Sequence, residues 1–263
     1  MDLIHKCIVL TGAASGIGLA LMERLADQPV QLLAVDVNAA ALEVACDRLA
    51  GSQAAITPLV CDLSCQTSLD QLFVQAVSRL GKIDLFIANA GFAYYECIET
   101  PDWDHLERIF RVNVFNTLYT IEKMKSLNSD QPYKVVVTAS AMAHIGVPGY
   151  ALYSATKAAL DRFADAYRWQ MQNPRQLMLV YPIGTRTGFF QTAGRDVPFA
   201  WPTQSPEQVA ASILSGIRRD RGRVYPSILF RMVLFFDRFL PVHRAEQAIE
   251  QHRFQTWLKR GGS

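Results

Sequence analysis

The sequence predicts an α/β protein built on a doubly wound parallel sheet, and three observations carry that expectation. Short β-rich runs alternate with longer stretches of helical periodicity. The runs are nearly continuous in apolar residues, as strands buried on both faces are. No linker or internal repeat interrupts the alternation, so the expected organisation is one domain over 1–263 with a C-terminal appendage from about 224. In order, residues 7–10, 31–35, 55–60, 83–88, 134–138 and 176–181 read as buried strands. Between them 17–26, 39–49, 68–80, 103–127 and 151–171 place apolar residues at helical spacing. In such sheets ligands bind beyond the carboxyl ends of the strands, which directs attention to 11–18, 36–38, 61–63, 89–95, 139–149 and 182–201.

Composition narrows the function classes. Half of the 263 residues are apolar, enough for a large core, and 26 basic against 24 acidic side chains give a net charge of +2. Nucleic acid is therefore not an expected partner. The cluster Arg218, Arg219, Arg221 and Arg223 reads as a solvated helix end ahead of a phosphate site. Five cysteines without C-x-x-C spacing fit reduced thiols, and the five histidines stand at no metal-ligand spacing, so no metal is expected. The first six residues lack the apolar core of a secretory signal, which gives a cytoplasmic expectation.

Thr11 to Gly18 reads TGAASGIG directly behind the first strand. Its glycines, Gly12, Gly16 and Gly18, follow neither G-x-G-x-x-G nor the P-loop spacing, so alone they leave a phosphate-binding loop and a tight turn both open. Asp36 ends the second strand, where a carboxylate accepts hydrogen bonds from an adenosine ribose and repels a 2′-phosphate. Neighbouring Val37 and Ser15 supply no cation, which favours NAD over NADP. The competing reading of Asp36 is a helix N-cap, a duty Asn38 suits equally. Tyr153 and Lys157 stand four apart on one helical face, where a fixed ammonium lowers a phenol's pKa. Tyr119 and Lys123 repeat that spacing in mid-helix without a strand-end hydroxyl ahead of them, so they read as packing; Ser140 precedes Tyr153 just past a strand end.

Taken together, these ordered motifs resemble the short-chain dehydrogenase/reductase family, over 6 to about 187: the Thr11–Gly18 loop, Asp36, Asp62, Asn89-Ala90-Gly91, Asn113, Ser140, Tyr153 and Lys157. The resemblance implies a Rossmann fold and hydride transfer between a nicotinamide and a secondary alcohol or ketone. It casts Tyr153 as general acid or base, with Lys157 on the nicotinamide ribose, Ser140 on the substrate oxygen and Asn113 holding a relay water. It places Gly12, Ser15, Gly16, Ile17, Gly18, Asp36, Asp62, Leu63, Asn89, Ala90, Gly91, Tyr153, Lys157, Ile183, Thr185 and Thr187 around the cofactor. Ile183 stands where the family commonly has glycine. Relatives pair through helices matching 103–127 and 151–171, implying a homodimer or homotetramer. The alternatives are an NADPH-preferring carbonyl reductase and a non-catalytic nucleotide-binding protein of the same fold.

The expected substrate walls are 92–95, 141–149 and 188–201, with Phe189, Phe190, Phe199 and Trp201 either lining an apolar pocket or filling the core. An apolar alcohol or ketone is the expected substrate. Residues 227–241 are too short and too charged for a membrane span, leaving three readings: packing on the body or a second subunit, a membrane-surface helix, or a lid.

Overall fold

The computed structural model describes residues 1–189, 193–194, 197–198, 202–237, 239 and 243–260. Seven parallel strands lie in the order β3-β2-β1-β4-β5-β6-β7: β1 (Cys7–Thr11), β2 (Gln31–Asp36), β3 (Ala55–Val60), β4 (Leu85–Ala88), β5 (Lys134–Thr138), β6 (Leu177–Val180) and β7 (Arg223–Val224). The described α-helices are α1 (Gly16–Ala26), α2 (Ala39–Arg48), α3 (Gln66–Leu80), α4 (Trp103–Phe110), α5 (Asn116–Leu127), α6 (Ala151–Tyr167), α7 (Pro206–Arg218), α8 (Ile228–Phe236) and α9 (His243–Lys259). This is the doubly wound architecture the sequence predicts.

The two-residue period of β1 builds both halves of the core. Cys7 and Val9 join Leu72, Phe73, Met124 and Leu160 on one face. Ile8 and Leu10 join Leu21, Leu25, Ile213 and Ile217 on the other. Each such side chain withdrawn from water stabilises the fold by about 1.5–3 kcal/mol before entropy is counted. The order reverses between β1 and β4, whose register pairs Ile8 with Leu85 and Leu10 with Ile87. A crevice opens at such a switch point.

Several elements differ from expectation. Strand β3 is half exposed rather than buried, because it is the sheet edge; Pro58 is tolerated there. The helix expected over 103–127 is three segments, with a π-helical turn at Arg111–Phe115 between α4 and α5. The expected helix over 151–171 ends at Tyr167 and continues as a 3₁₀ turn, Arg168–Gln170. The arginine cluster is structural: Arg218 ends α7, Arg223 pairs with Asp165, and between them Asp220 (φ 51°) meets buried Lys134 at 2.6 Å. All five cysteines are unpaired, and no metal-ligating cluster occurs among the described residues. Helix α8 buries Phe230 and leaves Ile228, Met232 and Phe235 exposed. No described helix is long and apolar enough to cross a membrane.

Candidate active site

The carboxyl ends of β1 and β4 are tied by one hydroxyl. Thr11 Oγ1 accepts from the backbone N–H groups of Asn89 and Ala90, both at 3.1 Å, and donates to the Ile87 carbonyl at 3.4 Å. Asn89 completes the clasp: Nδ2 donates to the carbonyls of Thr11 (3.2 Å) and Gly12 (3.4 Å), while Oδ1 accepts from Thr138 Oγ1 at 3.1 Å. Its side chain is thus spent on holding three strand ends together. The loop above them needs its glycines for different reasons. Gly12 and Gly16 adopt φ +66° and +54°, left-handed values that cost other residues roughly 1–2 kcal/mol. Gly18 is required by space, since a Cβ there would lie 1.7 Å from the Gly12 carbonyl oxygen. Against Gly16 lies Thr187, whose methyl a Cβ at 16 would meet at 3.0 Å. Ile17 follows in the first turn of α1, and Ser15 precedes that helix without capping it.

Asp36 sits half-buried at the end of β2, its Oδ2 accepting from Ala14 N and its Oδ1 from Asn38 N, both at 3.0 Å. The helix cap falls to Asn38, which accepts from Ala41 N at 3.1 Å. Asp36 is therefore a carboxylate fixed against the glycine loop, with no cation paired to it among the described residues. Asp62 is more open and accepts from Ser64 N at 2.9 Å; Leu63 beside it is buried in the core.

On the other side of the switch point, the π-helical turn points Asn113 inward; such turns recur where a helix must re-aim one side chain. Asn113 Oδ1 accepts from Phe92 N at 3.1 Å, and Nδ2 donates to the Phe92 carbonyl at 2.9 Å and Thr156 Oγ1 at 3.2 Å. Gly91 leaves the passage between Asn113 and Lys157 clear: a Cβ there would meet Asn113 Oδ1 at 3.0 Å and Lys157 Nζ at 3.6 Å. Lys157 Nζ donates to the Thr138 carbonyl at 2.9 Å and lies 5.4 Å from the centroid of the Tyr153 ring. Ser140, just past β5, neighbours the Tyr153 hydroxyl and accepts from Met142 N at 3.1 Å. Beyond β6, Ile183 accepts from Thr185 Oγ1 at 2.9 Å, and Thr187 accepts from Phe189 N at 3.2 Å. Ser140, Tyr153, Lys157 and Asn113 are thus gathered in one place, whereas Tyr119 and Lys123 are bound to Asp70 on α3 at 2.8 and 2.6 Å.

The electrostatics depart from expectation in one respect. Burial pushes the Tyr153 phenol well above its ordinary value, with the neighbouring Ser140 hydroxyl pulling the other way. Desolvation also lowers Lys157 from 10.5 to about 8. A lysine whose own charge is disfavoured does little to lower its neighbour, so burial outweighs the pairing that the Tyr153–Lys157 spacing suggests. One consequence is measurable. From pH 8 to 10.5 the unfolded chain binds a Lys157 proton that the folded chain has released, so this group makes stability rise with pH. Denaturant titrations should show wild type gaining on Lys157→Met across that window, and a pH-independent difference would contradict the assigned burial.

Parts of the expected substrate walls, joined by Tyr150 and Leu152, which the sequence did not single out, complete the surroundings of Tyr153. Its ring meets Phe189 at 5.6 Å and Tyr150 at 6.3 Å between centroids. Phe92, Met142, Val147 and Leu152 pack in the same apolar cluster. Phe190, Phe199, Trp201 and Arg238 lie outside the described residues. Tyr181, after β6, donates to buried Asp161 on α6 at 2.6 Å, fixing the tyrosine-bearing helix to the strand whose end carries Ile183. Asp161 stands on the helical face of Tyr153 and Lys157 but gave no sequence signal of its own, because a buried aspartate becomes conspicuous only once its partner is placed.

The donor set fits a nicotinamide dinucleotide. A loop with glycines at 12, 16 and 18 lies at a helix N-terminus, the Asp36 carboxylate is fixed beside it, and buried Lys157 has no carboxylate within ion-pair distance among the described residues.

Comparison with known proteins agrees. The family model described as short chain dehydrogenase matches residues 6–197. A 1-deoxy-11-beta-hydroxypentalenate dehydrogenase of Streptomyces avermitilis is 34% identical over 165 residues, a match that spans 60% of each chain. Among solved structures, a short-chain dehydrogenase/reductase from Burkholderia phymatum in complex with NAD superposes with TM-score 0.78 at 21% identity, covering 90% of this chain and 95% of its own. A Sphingobium yanoikuyae short-chain dehydrogenase in complex with NADPH gives 0.77 at 22% identity, covering 94% and 95%.

Proposed function

This chain belongs to the short-chain dehydrogenase family, an NAD(P)-binding class of oxidoreductases, and from that premise we propose that it interconverts an apolar secondary alcohol and its ketone, with NAD favoured as cofactor. The observation that carries the reading is the Ser140–Tyr153–Lys157 grouping at the carboxyl end of β5, enclosed by apolar side chains.

A bound nicotinamide supplies or accepts the hydride. Everything else falls to the protein. Tyr153, protonated at neutral pH because it is buried, donates its hydroxyl proton to a carbonyl oxygen as charge develops there. Ser140 donates a second hydrogen bond to that oxygen, an oxyanion-type contact. Lys157 would hold ribose hydroxyls and, with Asn113 behind it, relay protons between solvent and Tyr153, inward for reduction and outward for oxidation; its value of about 8 lets the amine both take and give a proton near neutrality. Gly12 to Gly18 receive the pyrophosphate on backbone N–H groups, with Thr187 across the loop. Asp62 and Leu63 border the adenine, and Ala90, Gly91, Ile183 and Thr185 offer close backbone or side-chain contacts along the remainder of the cofactor.

Phe92, Met142, Val147 and Phe189 around Tyr153 support an apolar substrate. The name of the Streptomyces relative, a hydroxypentalenate dehydrogenase, is compatible with a hydroxyl-bearing substrate. The NAD preference rests on Asp36. Replacing it by alanine should raise KM for NAD and move the NAD:NADP ratio of kcat/KM by roughly tenfold toward NADP, equivalent to about 1.4 kcal/mol. An unchanged ratio in steady-state assays with both cofactors would show that Asp36 does not read the ribose.

A further inference from the structure

Helix α9 does not lie free of the site. Trp257 is 4% exposed, and its ring meets Tyr95 at 4.8 Å between centroids; Phe254, one turn earlier, meets the same ring at 5.6 Å. Tyr95 meets Tyr150 at 4.8 Å, and Tyr150 meets Tyr153 at 6.3 Å. A continuous file of four aromatic rings therefore runs from the C-terminal helix to the proton-donating tyrosine.

The backbone is shaped to keep that file in place. Gly149 has φ +82°, and a Cβ there would enter the Tyr95 ring. Residues 95 and 96 are pinned on both sides, Tyr95 N donating to the Ala193 carbonyl at 2.8 Å and Glu96 N to the Gly149 carbonyl at 3.0 Å. Gln247, near the start of α9, donates to the Gly146 carbonyl at 3.0 Å and so clamps the helix to the loop preceding α6. A peripheral helix held only for stability needs an apolar seat anywhere on the body. This one is seated on the two loops that flank Tyr153.

We infer that α9 is the end wall of the substrate pocket, and that Trp257, as a positioning residue acting through Tyr95 and Tyr150, sets the length of apolar substrate the site accepts. The inference rests on the alcohol–ketone reading of the site. Removing the indole takes away the nearer of the two rings that back Tyr95 from α9, leaving Phe254, and the rings between the helix and Tyr153 gain room to retreat from a long chain. Apolar pockets discriminate by such increments of volume, roughly 10–200-fold per methylene-sized change.

The test compares butanone with methyl nonyl ketone on wild type, Trp257→Ala and Trp257→Leu, with NADH affinity measured by titration for each. The expected result is a shift of about tenfold or more in the kcat/KM ratio toward the longer ketone, carried mainly by KM, with NADH affinity unchanged. An equal loss on both ketones, or an unchanged ratio, overturns the inference. Hydrogen exchange on the wild-type chain needs neither a variant nor turnover. With NADH present, methyl nonyl ketone should protect amides of His243–Lys259 and butanone should not; equal protection by both, or none by either, overturns the wall. Failure of the wild type to reduce any ketone while exchange still reports that length-dependent protection would overturn the hydride-transfer reading and leave the wall standing.

Discussion

Tyr153→Phe should lower kcat for ketone reduction by roughly 10²–10⁴-fold, the usual worth of a positioned general acid, while leaving NADH affinity and thermal stability close to wild type. The geometry explains why the two effects separate. The Tyr153 hydroxyl neighbours Ser140 at the proposed substrate end of the site, whereas the proposed cofactor cradle draws mainly on the glycine loop, Asp36 and Lys157. The phenyl ring that remains still fills the space against Tyr150 and Phe189. Steady-state kinetics beside fluorescence titration of NADH reads both quantities, and a variant retaining most of its turnover would remove Tyr153 from the proton-transfer role.

Gly18→Ala should be the most damaging single methyl in the cofactor loop. Its Cβ would stand 1.7 Å from the Gly12 oxygen and 2.9 Å from Asn89 Nδ2, so either the loop or the helix must move, and the Asn89 clasp moves with it. A cost on the order of 4 kcal/mol or more places it among the exceptional substitutions that remake backbone. Gly51→Ala is the matched control. Gly51 has the positive φ, +79°, that Gly18 lacks, and nothing lies within 4 Å of its Cβ position, so only the left-handed penalty of roughly 1–2 kcal/mol applies. Chemical denaturation of both variants separates close approach from backbone conformation; similar costs would mean that crowding at Gly18 is relieved without consequence.

How much of this was legible in the sequence follows from how local each signal is. Strands such as β1 and β5 announce themselves because burial on both faces leaves unbroken apolar runs, and the motif residues stand at fixed distances after them. Helix α7 carries a readable start in Ser205 and Gln208, which form a capping box with Pro206 at the first helical position, yet periodicity marks no helix there and only the arginine cluster points to its end. The π-helical turn at Asn113 was invisible because helical periodicity runs through it nearly unchanged. Residue spacing predicts a lowered Tyr153 phenol, and the structure reverses it, since spacing reports which charges are near but not how dry their surroundings are. Trp257 and Tyr95 lie far apart along the chain, so no local pattern links them, and only the tertiary fold places one ring on the other.

The most direct test of the central claim follows the hydride itself. NADH carrying deuterium at the reducing carbon of its nicotinamide is incubated with the enzyme and methyl nonyl ketone, and the alcohol is examined by proton NMR and mass spectrometry. The account predicts one deuterium on the carbinol carbon, from one face of the cofactor, and roughly 10²–10⁴-fold less alcohol, labelled at the same carbon, from the Tyr153→Phe protein over the same interval. Alcohol formed without deuterium at that carbon, or no alcohol at all from wild type with either NADH or NADPH, would contradict it.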